Sequence, residues 1–308
     1  MGTPELACAS LEALLNWPEN QVVAVVTQPD RPKGRDLRLT APPVKQLASA
    51  KGLRILQPEK ARETGFIDSV RELEPDLIVV AAYGQILSTA LLDVPRHGCL
   101  NVHTSLLPKL RGAAPIQWAI LNDEPETGVT IMKMDAGLDT GDILSQKSTP
   151  VLPTDDAQTL HDRLAQHGAR LLVETIGPYV SGALRPVPQQ AENATYAKKI
   201  QKEDGWINWE RPARTIWNQV RGLIPWPGAF THLPVPSASL LKIWKAELAN
   251  GIAAPGSVVS ADKTGIVVNC GQDALRILTL QREGARRLTA SEFLAGSPLE
   301  PGTRLGHD

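Results

Sequence analysis

The stretch from Asp76 to Ala82 reads Asp-Leu-Ile-Val-Val-Ala-Ala, a short apolar run rich in β-branched residues with no polar alternation. A strand of that kind must be covered on both faces, which places it inside a sheet with helices packed above and below. Its surroundings agree. Val22–Val26 is a second short apolar run, and Arg54–Leu56, Leu100–His103 and Gly128–Met134 read as further strands. Between them lie helical signals near Val44–Lys51 and Arg62–Leu73. Thr3-Pro4-Glu5 opens an earlier helix, with Thr3 as its cap, Pro4 in the first turn and Cys8, Leu11, Leu14 and Leu15 at helical spacing. Strands alternating with helices predict an α/β fold, a doubly wound, mostly parallel, Rossmann-like sheet.

The polar, Pro-rich segment Gln28–Pro43 is too irregular for either element. Residues 157–180 predict a long helix with Leu160, Leu164, Leu171, Leu172, Ile176 and Val180 on one stripe. Ser181–Glu192, carrying Gly182, Pro186 and Pro188, reads as a linker. Beyond it the texture changes to short strands at Val258–Ser260, Gly265–Asn269 and Ala274–Leu280 separated by turn-like tetrapeptides, which predicts a small antiparallel β-barrel of OB-like type. The expected domains are therefore 1–181, a linker at 182–195, and 196–308.

Charge is unevenly spread along the 308 residues. Residues 196–308 hold 14 basic against 10 acidic side chains, and residues 1–195 hold 18 against 23. Five of the seven tryptophans also fall in the C-terminal part, as Trp206, Trp209, Trp217, Trp226 and Trp244. That combination fits either a nucleic-acid surface or a solvated exterior over a Trp-rich core. The run Leu77–Tyr83 is too short to cross a bilayer, which takes roughly 20 apolar residues. The N-terminus lacks the features of a secretory signal, and Leu6 argues against a myristoylation motif at Gly2. Cys8, Cys99 and Cys270 are scattered, which fits a reducing cytosol and no metal site. There is no Gly-x-Gly-x-x-Gly fingerprint, Walker loop, Gly-x-Ser-x-Gly elbow or His-Glu-x-x-His pair.

Asn101 and His103 are two apart on one strand, so their side chains share a face. An imidazole can move a proton near neutral pH, and a primary amide can hold a developing oxyanion. The pair suits acyl transfer. Alone it also fits an ordinary structural histidine.

The segments around this pair are more specific. Asn101-Val-His-Thr-Ser-Leu-Leu-Pro108 followed by Arg111-Gly-Ala-Ala-Pro-Ile116 resembles the signature of folate-dependent formyltransferases. Gly128–Asp135 and Gly137–Asp142 are similar to the second motif of that family. Gly2-Thr3-Pro4, Thr27–Pro32 and Arg221–Ala229 resemble the branch that formylates initiator methionyl-tRNA, and the likeness runs nearly the full length.

This resemblance implies transfer of a formyl group from 10-formyltetrahydrofolate as cosubstrate to the methionyl α-amino group, without a metal. It implies Asn101, His103 and Asp139 as the catalytic trio and Ser105, Leu106, Leu107 and Pro108 as folate contacts, with Tyr83 and Gly84 nearby. Asp142 would shape the loop. The basic segment after Asp30 resembles the family's insertion loop, with Lys33, Arg35 and Arg38 facing the tRNA acceptor stem. A cytoplasmic monomer is expected, with residues 196–308 binding tRNA. A sugar-nucleotide formyltransferase and a tRNA-binding relative without catalysis are the rival readings. In the family an apolar strand precedes Gly-Thr-Pro. Met1 stands directly before Gly2 here, so the expectation is a sheet lacking its first strand and a natural start roughly ten residues earlier.

Overall fold

A computed structural model describes residues 1–33, 38–234 and 239–306. The chain forms two compact units: Met1–Pro115, Glu126–Pro150 and His161–Ala197 in one, and Ile116–Pro125, Val151–Leu160 and Lys198–Asp308 in the other.

In the first unit α1 (Glu5–Leu15) buries Leu6, Ala7, Ser10 and Leu11, a face displaced from the expected Cys8–Leu15 stripe. Thr3 does not cap it. Its hydroxyl donates to the Tyr83 carbonyl at 2.9 Å, and Pro4 occupies the cap position without a side-chain hydrogen bond. The strands β1 (Val25–Val26), β2 (Arg31–Lys33), β3 (Arg38–Thr40) and β4 (Ile55–Leu56) follow, with α2 (Pro43–Ala50) before β4. The segment read as irregular thus contains an antiparallel β2–β3 pairing, Arg31 opposite Thr40. Arg31, Pro32, Arg38 and Leu39 are exposed, so no apolar alternation marked this pairing. Next come α3 (Thr64–Arg71), β5 (Ile78–Val80), α4 (Thr89–Leu92), β6 (Cys99–His103), β7 (Arg111–Gly112), then α5 (Pro115–Leu121), whose residues from Ile116 on belong to the second unit, and β8 (Glu126–Lys133) and β9 (Ile143–Pro150). The helix α6 (Ala157–Val180) buries Leu160, Leu164, Leu171, Leu172 and Ile176, while Val180 is exposed. β10 (Tyr196–Ala197) pairs in parallel with β7.

The sheet is mixed rather than mostly parallel. β1 pairs β4 in parallel, and β5 pairs β6 in parallel, but β6–β8 and β8–β9 are antiparallel in the order β5-β6-β8-β9. Between β8 and β9 only the short loop 134–142 intervenes. A parallel return needs a crossover of a dozen or more residues, so these two strands must form a hairpin. Between β1 and β5 lies a cleft of about 760 Å³ with Met1 and Gly2 at one end. Gly2 donates its N–H to the Val26 carbonyl and bridges Ala81 in parallel, and the Met1 amine reaches the Val79 carbonyl at 2.6 Å.

The second unit carries α7 (Ala213–Gly222), β11 (Ala229–His232), β12 (Leu240–Ala249), β13 (Val258–Asp262), β14 (Gly265–Asn269), β15 (Ala274–Arg282), β16 (Leu288–Thr289) and α8 (Ala290–Gly296). Its antiparallel sheet runs β11-β12-β15-β14-β13, with β16 on β15. It packs Trp209, Ile216, Ile243, Ile277 and Phe293 into one core. The expected barrel does not close among the described residues. The two outer strands pair with irregular segments instead of each other: Ile207 N–H donates to Phe230, and Val258 N–H to Thr303. Trp209 is core, whereas Trp226 is exposed. Among the described residues no helix is long and apolar enough to cross a membrane.

Candidate active site

Strand β6 is paired on both sides: Val80 and Met132 flank Asn101, and Thr130 lies opposite His103. Two ladders fix its register, so Asn101 and His103 are held on one face with little backbone freedom. His103 is buried and Asn101 half-buried. The His103 Nε2 lies 3.0 Å from the Leu110 carbonyl oxygen. A carbonyl only accepts, so Nε2 carries the hydrogen and Nδ1 is the ring atom open to protonation. Nδ1 faces Asp139 Oδ2 at 3.7 Å. The Leu110 carbonyl is itself fixed, because Leu110 N–H donates to Thr195 Oγ1 at 2.9 Å.

Asp139 sits in the loop joining β8 to β9. Its φ of +53° is left-handed, uncommon for a side chain other than glycine. Asp135 shapes the start of this loop by accepting from the Gly137 N–H and the Thr140 hydroxyl, and Lys133 N–H closes it on the Asp142 carbonyl. The Asp139 carboxylate accepts the Gly112 N–H at 2.8 Å. One oxygen, Oδ2, thus faces both a fixed backbone donor and the imidazole.

The segment after β6 is stitched to the sheet through Thr130. Its hydroxyl donates to the Ser105 carbonyl at 2.7 Å and accepts from Leu107 N–H at 3.1 Å and Gln146 Nε2 at 2.9 Å. Ser105 and Leu107 are buried, and the Ser105 hydroxyl is turned inward onto the Lys109 carbonyl. Leu106 and Pro108 are half-buried. Tyr83 is a core side chain, while its carbonyl accepts from Thr3 and Gln28. In the basic segment Arg38 is exposed on β3, Lys33 lies in β2, and Arg35 falls outside the described residues. Two neighbouring cations are already paired, Lys45 with Asp30 and Arg31 with Glu59. No group of metal-ligating side chains occurs among the described residues.

Residues 2–176 match the formyl transferase family, and residues 199–298 match the formyl transferase C-terminal domain. The chain belongs to the formyl transferase family. A methionyl-tRNA formyltransferase of Geobacter metallireducens is 51% identical over 307 residues, covering 100% of this chain and 97% of the relative. One of Citrifermentans bemidjiense is 53% identical over 306 residues, covering 99% and 95%. The fold is shared with WlaRD, a sugar 3N-formyl transferase solved with dTDP and 5-N-formyl-THF (TM-score 0.65, 22% identity, covering 92% of this chain and 97% of that one). HypX from Aquifex aeolicus in complex with tetrahydrofolic acid aligns with TM-score 0.59 and 17% identity, over 84% of this chain and 47% of that longer one.

In this formyl transferase, strand periodicity alone points to Asn101 and His103, the family resemblance adds Asp139, and neither points to the groups that hold His103 and Asp139 in place. Gly112, the Leu110 carbonyl and Gln189 carry that work. Gly112 was visible as part of a motif, and its φ of +117° is the reason a glycine stands there. Gln189 lay inside a stretch read as linker, with no local signal.

Proposed function

We propose that the protein transfers the formyl group of 10-formyltetrahydrofolate to the α-amino group of initiator methionyl-tRNA, giving the formylated initiator for translation. The observation that carries the reading is the meeting of Asn101 and His103 on one strand face with Asp139 Oδ2, 3.7 Å from His103 Nδ1. The methionyl amine attacks the formyl carbon, the bond from that carbon to the folate nitrogen breaks, and one proton leaves the amine as another reaches the leaving nitrogen. Asn101 offers an amide N–H to the oxyanion formed in between. His103 moves the proton at Nδ1, and Asp139 orients the ring and stabilises its charged form. The half-buried Leu106 and Pro108, on a loop pinned by Thr130 and Gln146, provide a firm apolar wall suited to a flat pterin.

Lys33, Arg35 and Arg38 meet acceptor-stem phosphates, and residues 196–308 bind the rest of the tRNA. Supporting the latter are the basic excess of that segment, the exposed Trp226, and Arg287 stacked 3.5 Å above the Trp244 ring. The chain works in the cytoplasm, where charged tRNA is found, and as a monomer. The test is formylation of charged initiator tRNA with 10-formyltetrahydrofolate, alongside a dTDP-amino sugar as competing acceptor. Asn101→Ala, His103→Ala and Asp139→Ala should each lower turnover by about 10²-fold or more, with folate binding better preserved. Arg35→Ala should flatten the salt dependence of tRNA binding and leave folate binding unchanged. Full turnover in His103→Ala would overturn the mechanism.

A further inference from the structure

Asp139 is the strained member of the trio, and its strain has an identifiable restraint. A left-handed backbone at a non-glycine residue persists only where its surroundings over-determine it. Here the carbonyls of Asp139 and Gly141, two residues apart, both turn toward the side-chain amide of Gln189. Gln189 Nε2 donates to the first at 2.9 Å and to the second at 2.7 Å. The other end of the same amide is held as firmly. Gln189 Oε1 accepts from Arg111 Nε at 3.1 Å and Nη2 at 2.7 Å, and Arg111 is only 5% exposed. Arg111 directly precedes Gly112, whose N–H holds the Asp139 carboxylate. The clamp therefore closes on itself, gripping the backbone of Asp139 through Gln189 and its carboxylate through Gly112.

The amide flip is fixed by the partners. Two carbonyls need donors and a guanidinium needs an acceptor, and only a primary amide offers both from one planar group. Glutamate would satisfy Arg111 and repel both carbonyls. Methionine would match the length and satisfy neither. The position of Gln189 is set by backbone pairing as well, since Val187 exchanges two hydrogen bonds with Ile143 at the start of β9. A residue fifty positions from Asp139 thus reaches it through a segment that carries no regular secondary structure.

We infer that Gln189 is a positioning residue for the formyl-transfer reaction, acting through Asp139 by holding its backbone in the left-handed conformation that aims Oδ2 at His103. Its amide is spent on Arg111 and the two loop carbonyls, so its loss should appear in turnover rather than in binding. The inference rests on the role proposed for Asp139.

The experiment is a double-mutant cycle in the full-length protein, with kcat, both KM values and the pH profile of kcat measured for each variant. Gln189→Met and Gln189→Glu should each lower kcat by roughly 10- to 100-fold, the scale of a misplaced catalytic group. KM for folate and for tRNA should move by less than about 3-fold, and the shape of the pH profile should change. In the Asp139→Ala background the same substitutions should cost nothing further, because the group they position is gone. Gln189→Glu keeps the Arg111 contact and so tests the two lost donations even where Gln189→Met folds poorly. Additive losses, an unchanged pH profile, or a rise in KM at constant kcat would overturn the inference while leaving the role of Asp139 intact. Full activity in Asp139→Ala alone would remove both readings together.

Discussion

The cleft between β1 and β5 makes a quantitative prediction about stability and pH. The Met1 ammonium lies in the cleft on a half-buried residue, and burial lowers its pKa from 8.0 to about 6. A cation whose pKa is depressed by folding binds fewer protons in the native state than in the unfolded one. Stability therefore rises with pH across the window from about 6 to 8, is complete above it, and is lost as pH falls through the folded value. Two pKa units correspond to about 2–3 kcal/mol, a substantial part of the ~5–15 kcal/mol that separates a native domain from its unfolded chain.

Extending the chain by five apolar residues ahead of Met1 converts this amine into an uncharged peptide group. The extension can also enter the cleft. Val25 N–H already donates to Arg54 on the far side, so alternation turns the N–H and C=O of Ala24 and the N–H of Val26 toward the opening, the Val26 carbonyl being held by Gly2. Ile78 N–H points at Gly98, so Leu77 and Val79 face the opening from the opposite edge, while Ala81 N–H and the Val79 carbonyl are held by Met1. A strand laid between them makes about two ladder hydrogen bonds per residue, worth ~0.5–1.5 kcal/mol each, against ~1–2 kcal/mol for ordering its backbone. The apolar lining of Leu11, Val44 and Ile176 then adds about 1.5–3 kcal/mol per buried aliphatic side chain. Urea unfolding of both chains at pH 6, 7 and 8.5 reads the effect. The chain starting at Met1 should gain about 2–3 kcal/mol from pH 6 to 8.5, and the extended chain should be more stable throughout and lack that gain. His167, whose pKa burial also lowers, contributes equally to both and cancels in the comparison. Parallel pH dependences in the two chains would refute the reasoning.

Gly112→Ala should abolish most turnover, since a Cβ there would stand 2.7 Å from the Ala197 carbonyl in a φ of +117°, displacing the N–H that holds Asp139. Steady-state kinetics check it. Thr130→Val keeps the shape but leaves Ser105 C=O and Leu107 N–H without their partner, so urea denaturation should show a loss of ~2–6 kcal/mol at about 1–3 kcal/mol per orphaned group, with a raised KM for folate. Arg221→Met removes donations to the Leu152 and Asp155 carbonyls, both at 3.0 Å, and stacking over Trp217 at 4.3 Å. Thermal melting should register a loss of roughly 3 kcal/mol with little change in the chemistry of the formyl site.

What the sequence makes legible here is whatever a single strand or helix decides by itself. Asp76–Ala82 announces a strand by its aliphatic run, though the strand formed is only Ile78–Val80 and Asp76 and Ala82 are exposed, and the Asn101–His103 pair follows from the two-residue period of the strand that carries it. Leu160, Leu164 and Leu172 mark the buried face of α6 for the same reason. Strand direction is a property of pairs, and the residues of β8 and β9 carry no mark of it. Only the length of the loop between them does, and that signal was available in 134–142. Closure of the C-terminal sheet was not available, because it depends on whether Phe230 and Val258 find each other or find Ile207 and Thr303. The same distinction separates the trio from its supports. A reactive side chain announces itself by type, whereas Gln189 is an ordinary amide whose importance lies in two carbonyls and a guanidinium far away in the chain. Its surroundings of Pro186 and Pro188 point to a linker because prolines lack the N–H that a regular ladder needs, yet Val187 between them pairs with Ile143 and so sets Gln189 beside the loop of Asp139. An irregular segment that ends at an active site is thus better read as backbone released for long-range contacts than as a spacer.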